Sequence, residues 1–139
     1  MKALSVRAPW WWFILHGGKD IENRDWPTRV RGRVLIHASK WFAAEEICND
    51  FQDGLAMLKA SRPALAELPP CTMRVLKEAR GCLVGSVEIV DCVARSESPW
   101  FVGDYGFVLR DPIALPKPIP FKGALGFFGV DDAVARELR

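Results

Sequence analysis

The sequence GGKDIENRDW at 17–26 brings together three unlike charged side chains, those of Lys19, Glu22 and Arg24. The stretch before it, PWWWFILH at 9–16, is bulky and apolar, and the segment itself ends on a tryptophan. Charged residues of a simple surface loop need no apolar neighbours, whereas the polar groups of a binding site lie against an apolar wall. The pattern therefore predicts a site at 17–26, around which the rest of the chain is organised.

The segments around this site predict three extended stretches and a helix. Leu4 and Val6 alternate with polar residues, as in a half-buried strand. A proline suits the first turn of a helix and a Gly-Gly pair suits its end, which predicts a short, buried helix at 9–16. Residues 19–24 are predicted to be extended, and alternation at 32–37 predicts another strand. If these last two segments pair, basic side chains line one shared face.

The middle of the chain changes from strand to helix and back. Apolar residues recur at helical spacing over 41–59, and Ser39 is the predicted N-cap of that helix. A proline-containing connector at 61–70, predicted to hold a short turn of helix, leads to a further helix at 72–79. The segment 82–93 is rich in valine and isoleucine, which predicts the central strand of a sheet.

The last third of the chain predicts a loop, more strands and a final helix. Residues 94–104 are predicted to form a mobile loop that is tipped by Trp100 and acts as a lid. Residues 105–120 are predicted to be extended, with a proline-rich sheet edge in their second half. A last strand is expected at 123–130 and a helix at 132–138. About six strands and four helices without βαβ alternation predict an α+β fold, a small, mostly antiparallel β-barrel with peripheral helices.

Length and composition predict one domain spanning residues 1–139. The apolar fraction of 50% and the charged fraction of 26% are ordinary for a globular protein. The longest apolar run is far shorter than the roughly 20 residues of a membrane span, and no signal-peptide cleavage site is visible, so we expect a cytoplasmic protein without a membrane partner. The cysteines form no CxxC pair and the two histidines have no ligand spacing, so we expect neither a metal nor another cofactor.

Basic charge is concentrated near the start of the sequence. Residues 1–40 contain eight Lys and Arg against three acids, although the net charge of the whole chain is only +2. Five of the six tryptophans also lie in the first 41 residues. Basic side chains neutralise phosphates and aromatic faces stack on bases, so this composition indicates an RNA-binding surface. The alternative is a solvated basic face over core tryptophans.

Residues 17–24 have the pattern G-x-K-x-x-E-x-R, with Gly17, Lys19, Glu22 and Arg24 at its fixed positions. This pattern resembles the signature of the ASCH domain family, a branch of the PUA-like superfamily. Further similar stretches are RGRVLIHASK at 31–40, GSVEIVDC at 85–92, YGFVL at 105–109 and KGALGFF at 122–128. The resemblance implies a PUA-like β-barrel with a central cleft that is lined by the signature residues and accepts RNA, a nucleotide or a modified nucleoside.

The residues predicted to line this cleft have polar or aromatic side chains. They are Lys19, Glu22, Arg24 and Trp26, with Arg7, Trp10, Arg31, Arg33, His37, Ser39 and Tyr105 as further candidates. The predicted partner is RNA, a nucleotide or a modified nucleoside, and DNA is possible. One alternative is a hydrolase of the same fold, either a ribonuclease or an enzyme similar to N4-acetylcytidine amidohydrolases. Another is a domain that uses its basic face to bind a protein.

The chemistry of the charged cluster favours binding over catalysis. Arg24 suits bidentate bonds to a phosphate or a base edge, and Glu22 can accept from an exocyclic amine. If the protein is an enzyme, Lys19 and Glu22 are the predicted catalytic pair, and burial would have to lower the pKa of Lys19. The N4-acetylcytidine amidohydrolases that the sequence resembles use a lysine, a threonine and a glutamate. An ungapped alignment of their motif with this sequence places Glu22 at the position of the threonine. A further alternative is an ion-pair cluster that only stabilises the fold.

Nucleophilic catalysis has little support in the sequence. Ser5, Ser39 and Ser86 have no histidine close in sequence, except that His37 lies on the same side of one predicted strand as Ser39. A strand end followed by a helix cap explains that pair better.

Overall fold

The computed structural model describes residues 1–61 and 68–137. Within them, the elements in chain order are β1 (Lys2–Val6), α1 (Trp10–His16), β2 (Ile21–Arg24), β3 (Gly32–Ala38), α2 (Ala44–Ser61), α3 (Met73–Ala79), β4 (Cys82–Val93), β5 (Tyr105–Pro120), β6 (Phe127–Gly129) and α4 (Asp132–Glu137). The turn of helix predicted in the 61–70 connector falls largely on residues outside the described ranges. Among the described residues, none of the helices has the length and apolarity needed to cross a membrane.

The six strands form one sheet in the order β2-β5-β4-β3-β1-β6. Its pairs are antiparallel except that β1 and β3 run parallel. Two contacts show that the two ends of the sheet approach each other. Arg24 of β2 donates to the carbonyl of Ser5 in β1 at 2.7 Å. Trp26, just after β2, packs edge-on against Phe127 of β6, with ring centroids 5.8 Å apart. The sheet is thus curled into a half-barrel, which confirms the predicted α+β, PUA-like and mostly antiparallel fold.

The strand β3 lies between β1 and β4, so it does not pair with β2. Its residues Val34, Leu35 and Ile36 are all buried, so both of its faces meet apolar neighbours. A strand that is apolar on both faces belongs at the centre of a sheet. The short strand β2 instead pairs with the start of β5 at one edge. The shared basic face that a β2–β3 pair would have formed is therefore absent from the described residues.

The helix α1 packs its buried side chains between the sheet and α2. The ring of Phe13 is fully buried, and a Cβ added to Gly54 of α2 would lie 2.3 Å from that ring. Glycine at this position therefore lets the two helices approach closely. The helix α2 begins at Ala44 rather than at residue 41, so the predicted N-cap is wrong. The hydroxyl of Ser39 instead accepts from the backbone N–H of Trp41 at 3.2 Å and shapes the turn before the helix.

The segment 94–104 is a pinned connection rather than a mobile lid. Trp100 is only 5% exposed and belongs to the main hydrophobic core. The side chain of Asn23 in β2 donates to the carbonyl of Trp100 and accepts from the N–H of Val102, both at 2.9 Å. Burial of an indole together with two hydrogen bonds to a strand holds this segment against the sheet.

Candidate functional site

A cleft of about 870 Å³ opens where the two edges of the curled sheet face each other. Its walls come from β1, β2, the end of β3 and the 122–126 loop. The polar and aromatic part of the lining consists of Ser5, Arg7, Trp10, Glu22, Asn23, Arg24, Asp25, Trp26, His37, Ser39, Lys40, Trp41 and Lys122. Four cationic side chains therefore face two acidic ones in a cavity of the size that binds small ligands.

The charged residues of the signature form the cluster that the sequence predicts. The carboxylate of Glu22 is 7% exposed and lies between two cations. Arg24 donates from Nη2 to Glu22 Oε2 at 2.9 Å, and Lys19 Nζ lies 3.9 Å from Glu22 Oε1. Lys19 also donates to the carbonyl of Ile21. Both oxygens of Glu22 therefore have a cationic neighbour, and the side chain of Arg24 remains the most accessible of the three.

Lys19 itself lies in a second, smaller pocket of about 250 Å³ next to the cleft. The two cavities share Trp10, Glu22 and Asn23 in their linings. Burial lowers the pKa of Lys19, and the nearby charges of Glu22 and Asp20 only partly oppose that effect. A buried lysine with a lowered pKa can exchange a proton more readily near neutral pH.

Each of the three tryptophans in the cleft has a cation near its ring. Arg7 lies over Trp41 at 4.5 Å from the ring centroid. The other two pairs are Lys19 with Trp10 at 5.8 Å and Arg24 with Trp26 at 5.9 Å. All three indoles are partly exposed. Aromatic faces that alternate with cations are the combination that stacks on bases and neutralises phosphates.

Ser5 and His37 meet across the parallel pair β1–β3, where they are register partners. Ser5 Oγ lies 2.8 Å from His37 Nδ1, and His37 Nε2 lies 2.7 Å from the carbonyl oxygen of Phe121. Because a carbonyl only accepts, Nε2 carries a proton, and in the neutral imidazole the Ser5 hydroxyl therefore donates to Nδ1. This pair was not predicted from the sequence, since the two residues are 32 positions apart and only the strand pairing brings them together.

The predicted site residues divide into three groups by position. Those that line the cleft are Arg7, Trp10, Glu22, Arg24, Trp26, His37 and Ser39. Lys19 lies in the adjoining pocket. Arg31, Arg33 and Tyr105 lie outside both cavity linings.

The two outlying arginines have partners within the fold. Arg31 lies 3.6 Å from the carboxylate of Asp91, and Arg33 donates to the hydroxyl of Ser86 at 3.1 Å. These contacts place their guanidinium groups beside β4 rather than in the cleft.

Several further lining residues were not predicted from the sequence. Lys40 and Trp41 follow β3, and Lys122 follows β5. Two of these lie within the stretches RGRVLIHASK and KGALGFF, so the motifs carried the signal although the individual residues were not selected. Asn23 and Asp25 alternate with the signature residues and line the cleft because the end of β2 is exposed to it.

A family model described as ASCH domain matches residues 4–101 of the chain. The chain belongs to the ASCH domain family. This family is PUA-like and associated with RNA. The matched residues include the end of β1 and all of β2 to β4, and therefore most of the cleft, whereas β5 and β6 follow them in the same sheet.

The ASCH domain is also similar to curated proteins from two mammals. It is 24% identical over 144 residues to Activating signal cointegrator 1 of Homo sapiens, which covers 94% of this chain and 22% of that protein. The Mus musculus protein of the same name is 23% identical over 139 residues, with the same coverage. The ASCH domain thus spans about a fifth of the length of these relatives.

Proposed function

We propose that this ASCH domain binds single-stranded RNA, with one nucleotide held in the cleft. The observation that carries the proposal is the cleft lining, in which three partly exposed tryptophans alternate with cationic side chains around a buried carboxylate. Neutral, apolar ligands would not require this excess of positive charge, whereas phosphates would.

Residues at the rim and at the floor of the cleft contact different parts of a bound nucleotide. Arg7, Lys40 and Lys122 are exposed at the rim, where phosphates can reach them from solvent. At the floor, Glu22 accepts hydrogen bonds and Arg24 donates them, so the pair can read the donors and acceptors of a base edge. Among the described residues, both hydrogen bonds of Arg24 come from Nη2, which leaves Nη1 and Nε for a ligand.

The partners of Arg31 and Arg33 favour the cleft over the basic face that the sequence also suggested. Arg31 neighbours Asp91, and Arg33 donates to Ser86 and to the carbonyl of Asp111 at 2.9 Å. A phosphate would have to compete with these contacts, whereas the rim cations of the cleft are open to solvent. The protein-binding alternative relies on that face and is correspondingly weaker.

The test is a titration of a short, fluorescent single-stranded RNA at several salt concentrations. Affinity should fall by about 0.7 log unit per phosphate contact for each tenfold rise in salt. Lys40→Ala and Lys122→Ala should each weaken binding and reduce the salt slope by about 0.7.

The matched control for these variants is Arg74→Ala, because Arg74 is an exposed cation on α3 that pairs with Glu78 outside the cleft. It should leave both affinity and slope unchanged. If the protein does not bind RNA at low salt, or if its affinity does not change with salt, RNA binding is refuted. The partner would then be a small ligand or a protein. The same titration with single-stranded DNA measures the preference for ribose.

A hydrolase of acylated cytidine is the second candidate function. The supporting observation is that burial lowers the pKa of Lys19 next to the carboxylate of Glu22. We expect purified protein to leave RNA intact. Release of acetate from N4-acetylcytidine by the wild type, lost in Lys19→Ala, would instead identify the domain as an amidohydrolase.

A further inference from the structure

The hydroxyl of Ser5 is set up as a hydrogen-bond donor to a histidine at the wall of the cleft. His37 accepts through Nδ1 at 2.8 Å, while its Nε2–H is held by the carbonyl of Phe121 at 2.7 Å. The histidine thereby keeps the tautomer that can take the proton of Ser5. Both residues line the cavity, so the pair faces any ligand bound there.

The surroundings fix this pair in place. His37 is 2% exposed, and the ring of Phe128 packs edge-on against it with centroids 5.5 Å apart. A Cβ added to Gly123 would lie 2.5 Å from His37 Cε1, so the loop can cover the ring only because this residue is glycine. The imidazole is therefore shielded from water except through the Ser5 hydroxyl and the cleft.

A positive charge lies next to the same serine. The guanidinium of Arg24 donates to the backbone carbonyl of Ser5 at 2.7 Å, and its Nη1 and Nε have no partner among the described residues. A cation at this position can stabilise the oxyanion that forms when a hydroxyl adds to a carbonyl carbon. Nucleophile, base and cation are thus assembled within one cavity.

We infer that Ser5 and His37 are a nucleophile and general-base pair that hydrolyses a carboxylic ester carried by a nucleotide. The nucleotide part of this inference rests on the proposed function, whereas the reactivity of Ser5 does not. An ester fits the site better than an amide, because an alkoxide leaves more readily than an amide nitrogen and one cation supplies only part of an oxyanion hole.

The reaction balances with water as the only co-reactant. Ser5 Oγ forms a bond to the acyl carbon and its proton passes to His37 Nδ1. The bond from the acyl carbon to the alcohol oxygen breaks, and that oxygen takes the proton from the imidazolium. Water then attacks the acyl-serine, giving a proton to Nδ1, and release of the carboxylic acid returns that proton to Ser5.

The direct test is labelling of the full chain with a fluorophosphonate probe, followed by peptide mass spectrometry. We expect an adduct on Ser5 in the wild type, no adduct at position 5 in Ser5→Ala, and labelling at least about tenfold slower in a folded His37→Gln variant. Ser86→Ala is the matched control, because Ser86 lies on β4 outside the cleft lining, and it should label as the wild type does.

Wild-type protein decides the outcome even if His37→Gln does not fold. The absence of an adduct on Ser5 in folded wild type, or equal labelling of Ser5 in a folded His37→Gln variant, would overturn the inference and leave a structural hydrogen bond. Hydrolysis of 3′-O-acetyladenosine monophosphate, lost in Ser5→Ala, is the expected second result. Ser5 labelling in a protein that shows no RNA binding would refute the proposed function and the nucleotide part of this inference only.

Discussion

Replacing Glu22 by glutamine should destabilise the fold far more than replacing a surface glutamate. The substitution keeps the shape of the side chain and removes the charge that lies 3.9 Å from Lys19 Nζ and 2.9 Å from Arg24 Nη2. Lys19 is 5% exposed, so its ammonium group would lose its nearest carboxylate and keep the carbonyl of Ile21, the ring of Trp10 and the more distant charge of Asp20. A buried cation without its carboxylate is costly.

Two independent limits give the size of the stability loss in Glu22→Gln. Removing one partner of a buried ion pair costs about 3–5 kcal/mol. The loss is also limited by deprotonation of Lys19, which from its ordinary pKa of 10.5 costs about 5 kcal/mol at pH 7. For a domain of this size about 1 kcal/mol corresponds to about 3–5 °C, so Tm should fall by about 10 °C or more.

The loss of stability in Glu22→Gln should depend on pH in a defined direction. A lysine whose folded-state pKa lies below its unfolded value binds fewer protons when folded, so stability rises with pH between those two pKa values. Glu22 raises the pKa of Lys19, so its removal lowers that pKa further and widens the window. The deficit of Glu22→Gln relative to wild type should therefore be largest near neutral pH and shrink as the pH approaches 10.5.

Thermal melts between pH 6 and pH 10 measure this effect, with Glu88→Gln as the matched control. Glu88 on β4 pairs with Arg110 at 2.9 Å, but that pair is largely exposed and worth about 0–1 kcal/mol. A change in Tm of less than about 2 °C in Glu22→Gln, no larger than the control, would refute the reasoning. A large decrease in Tm that stays constant up to pH 10 would also refute the reasoning.

Three further perturbations test the packing and the thiols. Gly54→Ala should lower stability by about 1–3 kcal/mol in urea unfolding, because the new methyl overlaps a buried ring. Gly129→Ala has free space and should stay within about 0.5 kcal/mol, so equal effects would contradict the close helix packing. Trp100→Ala should lower the free energy of unfolding by about 3–5 kcal/mol in the same assay. An unchanged stability would instead support the mobile lid that the sequence predicts at 94–104. Burial raises the pKa of Cys71 to about 12, so iodoacetamide at pH 8 should modify exposed Cys48 first, and faster modification of Cys71 would contradict its burial.

The sequence alone determined the features that depend on neighbouring residues. The strand at 82–93 was predicted with its observed ends, and the helix predicted at 72–79 ends at Ala79 as observed but begins at Met73, with Thr72 as its N-cap. These elements could be predicted because β-branched runs and helix caps act over a few positions. The signature GxKxxExR likewise identified a charged cluster, since Glu22 and its two cations lie within one short segment. The ASCH fold followed from motifs that extend along most of the chain.

Tertiary structure alone decided which of these segments meet. Val34 and Ile36 show that β3 is a strand, but its place between β1 and β4 depends on burying both faces, which no local pattern fixes. Trp100 looked like the tip of a lid because its partner Asn23 is 77 residues away. The bond between Ser5 and His37 exists only through the parallel register of β1 and β3. Periodicity reports the local environment of each residue, whereas strand pairing is a property of distant segments competing for the same core, and this competition created the cleft.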